Sequence, residues 1–173
     1  MGGAKHIRLF GLLVLAGITA ACGFAPIYGD NSVQYAAADH LRLIEITKIQ
    51  GAPGTERLRQ VLIGELNDTF RGGDQSEYSL EIAITESFEP MGIRPDGSAS
   101  REQYILEAHY NLKDNVSGNI LEESDVTARN AYDVVLSDFS NFQAREDSAQ
   151  RGIKEIARSI SLRLGLYFSD RDR

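Results

Sequence analysis

The chain has 173 residues, room for one domain of ordinary size with short appendages. Eighteen Lys and Arg against 25 Asp and Glu leave a formal charge of −7, which argues against a nucleic-acid binder, whose footprint is basic. A composition 42% apolar and 25% charged excludes a disordered chain, while one Cys and three His exclude a disulfide framework and a Cys-rich zinc site.

Residues 1–21 read as a lipoprotein signal peptide. Lys5, His6 and Arg8 make a basic start, and the apolar run from Leu9 to Ile18 suits a signal h-region. It falls short of the roughly 20 residues that spanning a bilayer requires. Thr19-Ala20-Ala21 then stand directly before Cys22, the only cysteine. This arrangement resembles a bacterial lipobox, with Thr19 where Leu is usual. It predicts cleavage before Cys22 and a diacylglycerol on its thiol; two or more acyl chains anchor a protein stably. A plain secretory signal beside an incidental Cys is the alternative. Gly23, rather than an acidic residue, leans the sorting towards the outer membrane, with the domain facing the periplasm.

Residues 22–40 hold Gly, Pro, Asp, Asn, Ser and an Ala triplet without sustained periodicity, and read as a lipidated tether. One α+β domain is expected over 41–168, with a tail at 169–173. Leu41 to Ile49 reads as a strand, broken by Gly51-Ala52-Pro53-Gly54, with His40 at its start. Leu58, Val61, Leu62, Leu66 and Phe70 recur at spacings of three and four, one face of a helix over about 55–71. Thr55 is its expected N-cap and Gly72-Gly73 its left-handed stop.

Tyr78, Leu80, Ile82 and Ile84 alternate with polar neighbours, as do Tyr104, Leu106, Ala108, Tyr110 and Leu112. These two strands make a hairpin whose long tip, Pro90 to Ser100, carries Pro95-Asp96-Gly97 as turn chemistry. After a shorter turn over 115–119, a fourth strand runs from Ile120 to about Val135 with Val126 and Ala128 on one face. A long helix over about 141–168 closes the chain, Ser140 and Gln143 having capping-box spacing. Its core stripe is Ala149, Ile153, Ile156, Ala157, Ile160 and Leu164. The predicted fold is therefore a two-layer α+β sandwich. A mainly antiparallel sheet of about four strands packs against two helices in the order β-α-β-β-β-α.

Motifs for nucleophilic, metal-dependent or phosphate-cradling chemistry are absent from the sequence. His109 alternates onto the polar side of its strand, and Glu122-Glu123 point to opposite faces, so neither converges on a catalytic centre. No enzyme activity, cofactor or metal is expected. Binding features are clearer. Arg151, Lys154 and Arg158 form a basic stripe, while Arg94 and Arg101 flank the hairpin tip; these five are candidate contacts for phosphate-bearing lipid. Gly92, Ile93, Pro95, Asp96 and Gly97 at the tip, with Leu162 and Leu166 outside the helix core stripe, are candidate partner contacts. The bland reading of each is a solvated helix face, a surface loop or a frayed helix end.

The opening Cys22-Gly23-Phe24-Ala25-Pro26-Ile27-Tyr28-Gly29 resembles the mature start of alphaproteobacterial LPS-assembly lipoproteins, the LptE family. So do Ala131-Tyr132-Asp133-Val134-Val135, the segment Ser140 to Ala144, the ending Ser161-Leu162-Arg163-Leu164-Gly165-Leu166-Tyr167-Phe168, and Asp96-Gly97-Ser98-Ala99-Ser100-Arg101 before the hairpin's second arm. The resemblance implies a lipid-anchored domain that plugs the LPS-assembly barrel LptD in the outer membrane, helps it assemble and helps lipopolysaccharide reach the cell surface. The acidic balance, which deepens once Lys5 and Arg8 leave with the signal, confines any contact with anionic lipopolysaccharide to local basic patches. Two rivals are an auxiliary lipoprotein of an ABC-type envelope lipid transporter and a periplasmic hydrolase.

Overall fold

The strict two-residue alternation beginning at Tyr78 builds the sheet. The computed structural model describes residues 32–73 and 75–171; the signal peptide, Cys22, the segment 23–31 and residues 172–173 lie outside the described residues. The order is α1 (Ser32–Arg42), β1 (Ile44–Gly51), α2 (Glu56–Asn67), β2 (Tyr78–Ile93), β3 (Ala99–Asp114), β4 (Ile120–Asp133) and α3 (Asp138–Arg171). The strands form one sheet in chain order, β1-β2-β3-β4. β1 runs parallel to β2 through the α2 crossover, and the other two pairings are antiparallel. The sheet is thus mixed and mainly antiparallel, as the sequence pattern predicts.

One face of the sheet is apolar. Tyr78, Leu80, Ile82 and Ile84 of β2, Tyr104, Leu106, Ala108, Tyr110 and Leu112 of β3, and Val126, Ala128 and Tyr132 of β4 are buried. Leu62 and Leu66 of α2, together with Ala149, Ile153, Ile156, Ala157, Ile160, Leu164 and Phe168 of α3, complete the core. Each buried Leu or Ile contributes about 1.5–3 kcal/mol, so this common core holds the helical layer on the sheet. The opposite face is polar: Lys113 of β3 bonds Glu81 of β2 at 2.7 Å, and His109 lies between Asp125 at 2.9 Å and Glu123 at 3.2 Å on β4.

The structure corrects several boundaries. The segment read as a tether is helical from Ser32 and belongs to the compact unit that begins there. Leu41 closes α1 instead of opening β1, and His40 is helical, stacked on Phe168 at 4.8 Å between ring centroids. Eleven residues are too few for a lone helix to persist in water, so α1 depends on packing against α3.

The expected caps differ too. The Thr55 hydroxyl donates to the Ala52 carbonyl at 2.7 Å and makes no side-chain cap to α2. Gly72 and Gly73 are not among the positive-φ glycines, so they are no left-handed stop. Gly72 serves by being small: a Cβ there would lie 2.4 Å from the Ile44 carbonyl oxygen. At α3, Ser137 is the cap, its Oγ accepting from the Ser140 amide at 3.3 Å, three residues before the predicted one. The hairpin tip is also shorter than predicted. The strands run to Ile93 and resume at Ala99, because the ladder continues through two irregularities beyond Pro90.

Candidate partner interface

The turn between β2 and β3 is tightly built. The Arg94 amide donates to the Ser98 carbonyl at 2.8 Å and the Gly97 amide to the Arg94 carbonyl at 2.9 Å. Gly97 takes φ of +84°, the left-handed conformation this turn requires. Asp96 Oδ1 accepts from the Ser98 hydroxyl at 2.7 Å and from its amide at 2.9 Å, which holds the Asp96 carboxyl below its ordinary range. The Arg94 guanidinium donates to the carbonyls of Ala99 and Val134. It therefore ties the tip to the end of β4 instead of projecting into solvent.

The connector after β4 is fixed in the same way. Val134 donates to the Ser100 carbonyl at 3.0 Å. The Asn141 side-chain amide clamps Val135, accepting from its amide at 2.9 Å and donating to its carbonyl at 2.8 Å. These bonds bring the hairpin tip, the end of β4 and the start of α3 to one end of the molecule. Large apolar side chains are exposed there: Met91, Ile93 (73%), Val135, Leu136, Phe139 (73%) and Phe142. Several large apolar side chains exposed at one end of a folded protein are a candidate contact surface.

Beneath the tip lies a polar belt. Arg145 sits 4.4 Å over the centre of the Phe88 ring and 3.6 Å from Glu102. Tyr132 donates to Glu102, and Tyr104 donates to Glu86 at 3.0 Å. Burial, reinforced by the Glu86 charge, pushes the Tyr104 hydroxyl pKa well up, so it stays protonated as a donor. Arg101 pairs with Asp133 at 3.7 Å on the outer side.

Of the sequence-predicted residues, the structure brings Gly92, Ile93, Arg94, Pro95, Asp96, Gly97 and Arg101 together at this end. Arg151, Lys154 and Arg158 are exposed along the middle of α3. Leu162 and Leu166 are exposed as expected but lie elsewhere: from Phe142 to Leu166 the helix runs about 36 Å. Sequence reading missed Met91, Val135, Leu136, Phe139 and Phe142. The Val134-Val135-Leu136 run followed by Phe139 and Phe142 was the available signal: apolar residues continuing past the strand, ahead of the core stripe. Among the described residues no cluster of His, Cys, Asp and Glu is arranged to hold a metal, and no helix is long and apolar enough to cross a membrane.

With this geometry in hand, the chain can be compared with known proteins. A family model described as "LptE: Lipopolysaccharide-assembly" matches residues 41–164. No curated protein matches significantly. Among solved structures, a lipoprotein of Caulobacter crescentus CB15 is similar, with a TM-score of 0.57 at 23% identity over 78% of this chain and 96% of that one. The minor lipoprotein of Acinetobacter baumannii gives 0.52 at 18% over 69% and 89%. The rare lipoprotein B of Shewanella oneidensis gives 0.57 at 10% over 73% and 99%. At these identities the three structures speak for the fold.

Proposed function

The chain belongs to the LptE family of lipopolysaccharide-assembly lipoproteins, and from that premise we propose that it is anchored in the outer membrane through acylated Cys22, faces the periplasm, and plugs the LPS-assembly barrel LptD. In this reading it supports the folding of the barrel and the passage of lipopolysaccharide to the outer leaflet. It acts by contact, with no catalytic step. The observation that carries the reading is the family match across 41–164, nearly the whole of the folded domain.

The physical chemistry supports a contact role. The tip concentrates exposed apolar side chains on a frame held by Arg94, Asn141 and the β2–β3 ladder. Rigid apolar surface lowers the entropy lost on association. We assign the barrel contact to this end: Gly92, Ile93, Pro95, Asp96 and Gly97 from the hairpin, joined by Leu136, Phe139 and Phe142. Local lipopolysaccharide contact falls to Arg101 at the tip and to Arg151, Lys154 and Arg158 along α3, where guanidinium and ammonium groups can meet phosphate, while Arg94 is committed to holding the turn.

The test is a detergent pull-down of the C-terminally tagged chain, wild type beside Cys22→Ala, with partners identified by mass spectrometry. One large outer-membrane barrel in near-stoichiometric amount is expected with the wild type. Retention of the barrel by Cys22→Ala shows that protein contact holds the complex. Recovery of inner-membrane transporter components instead would overturn the reading.

A further inference from the structure

β2 outruns the strand beside it. Its pairing with β1 ends where Gly51 meets Ile84, whereas its pairing with β3 continues from Thr85 to Ile93. The upper half of β2 is therefore an open edge. Which main-chain groups face that edge follows from the alternation of a strand. At the foot of β2 the Tyr78 amide donates to the Leu43 carbonyl at 3.3 Å, and the Leu80 carbonyl accepts from the Thr47 hydroxyl at 3.4 Å. Even-numbered residues of β2 thus turn their N–H and C=O towards β1. The register with β3 is regular as far as Pro90, so Glu86, Phe88 and Pro90 present theirs to the same side, past the end of β1. Pro90 suits that side, because its missing N–H takes no bond from the β3 ladder.

The surroundings leave this edge open. Thr85 and the run Ser87 to Met91 are exposed. Among the described residues, Glu86 and Phe88 make no main-chain hydrogen bond outside the strand ladders. The other edges of the sheet are covered in part: the Gly72 amide donates to the Ile44 carbonyl on the free side of β1, and Arg163 Nη1 donates to the Asp125 carbonyl on β4, both at 3.0 Å.

We propose that an extended segment of the partner barrel adds to the upper half of β2 as a further strand, in the line that β1 leaves at Gly51, and pairs with the main chain of Glu86, Phe88 and Pro90. Strand addition of this kind draws affinity from main-chain hydrogen bonds and specificity from alternate side chains. The flanking side chains define the occupant. Phe88 is 39% exposed and is held by the Tyr104 ring at 5.3 Å and the Arg145 guanidinium at 4.4 Å, a fixed apolar surface beside the edge. Glu89 lies on the opposite face of the strand, is exposed, and has no ionic partner among the described residues. The incoming strand accordingly sets an apolar side chain against Phe88 and a Lys or Arg beside Glu89, a sign that also suits a chain of net charge −7. The edge leads into the exposed Met91 and Ile93, so one partner covers both. The inference rests on the barrel contact assigned to the tip and adds how that contact is made.

The experiment is hydrogen–deuterium exchange of the wild-type chain, resolved to single residues by electron-transfer fragmentation, alone and in the detergent-solubilised complex recovered with the barrel. The Glu86 and Phe88 amides should exchange fast in the free chain and at least about tenfold more slowly in the complex. Ser87 and Glu89, whose amides face β3, should be protected in both. Fast exchange of Glu86 and Phe88 in the complex would overturn the proposal and leave the barrel contact standing, whereas failure to recover any barrel would overturn both. Two variants then separate main chain from side chain: Phe88→Ala removes the ring and keeps the N–H, and Phe88→Pro removes both. Barrel recovery should be at least about fivefold lower for Phe88→Pro than for Phe88→Ala, with melting temperatures within a few degrees of each other. Equal recovery would overturn the proposal, and if Phe88→Pro does not fold, the exchange measurement decides alone.

Discussion

At the residue scale, two small groups carry more of the architecture than their size suggests. Gly72 lets the chain after α2 pass against β1: its amide donates to the Ile44 carbonyl at 3.0 Å, and an added Cβ would also come within 2.5 Å of Glu45 Cα. Both atoms are backbone and cannot swing aside. Gly72→Ala should therefore destabilise by about 1–3 kcal/mol, whereas Gly73→Ala, with open space around it, should change little. Urea unfolding of the two variants side by side checks this, and equal midpoints would refute it. Asp96 fixes the hairpin turn through the Ser98 hydroxyl and amide, and its pKa is lowered from the ordinary 3.8. A lowered folded-state value means that the stabilisation is complete above 3.8 and is lost as pH falls through the depressed value. The Ser98 amide resonance should accordingly titrate with a midpoint below 3.8 and lose that pH dependence in Asp96→Asn; a midpoint at or above 3.8 would contradict the turn geometry.

At the element scale, α3 separates into residues that hold the fold and residues that are available for contact. Leu164 is fully buried, while Leu162, two positions earlier, is 62% exposed. Leu164→Ala should cost about 2–5 kcal/mol, cavity term included. Leu162→Ala should stay within about 0.5 kcal/mol of wild type. Thermal unfolding distinguishes the two, and a destabilised Leu162→Ala would place that side chain in the core. The alternation in β2 and β3 and the 3.6-residue stripe in α2 and α3 were legible because the core residues of these elements, Ile105 of β3 excepted, face one common layer. The α1 helix was not legible. Its stripe of Val33, Ala37 and Leu41, four residues apart, is only three positions long and ends at Leu41, which the sequence reading gave to the following strand; docking against Phe168 and Gly165 supports the helix.

At the scale of the whole molecule, the two ends of the sandwich differ in chemistry. The tip exposes Met91, Ile93, Leu136, Phe139 and Phe142, and the opposite end carries the charged residues Glu122, Arg163, Asp170 and Arg171. If the tip is the barrel contact, Leu136→Asp combined with Phe139→Asp should sharply reduce barrel recovery in the pull-down. Both side chains are exposed, so the melting temperature should stay within a few degrees of wild type. Full recovery with the double variant would move the contact to another face.

By itself, the sequence determined the layer architecture, the strand and helix faces and the family resemblance. Those features are periodic or local, and burying one face per element leaves little choice in how the elements stack. Tertiary structure decided what the exposed groups do. Arg94 reads as a free cation in the sequence but is engaged by the carbonyls of Ala99 and Val134, one of them 40 residues away. The apolar residues of the tip come from β2, from the connector after β4 and from the first turns of α3, segments that no local pattern joins. They share one end of the sheet because the antiparallel register sets Arg101 opposite Asp133 and returns the chain to the end where β2 turns into β3.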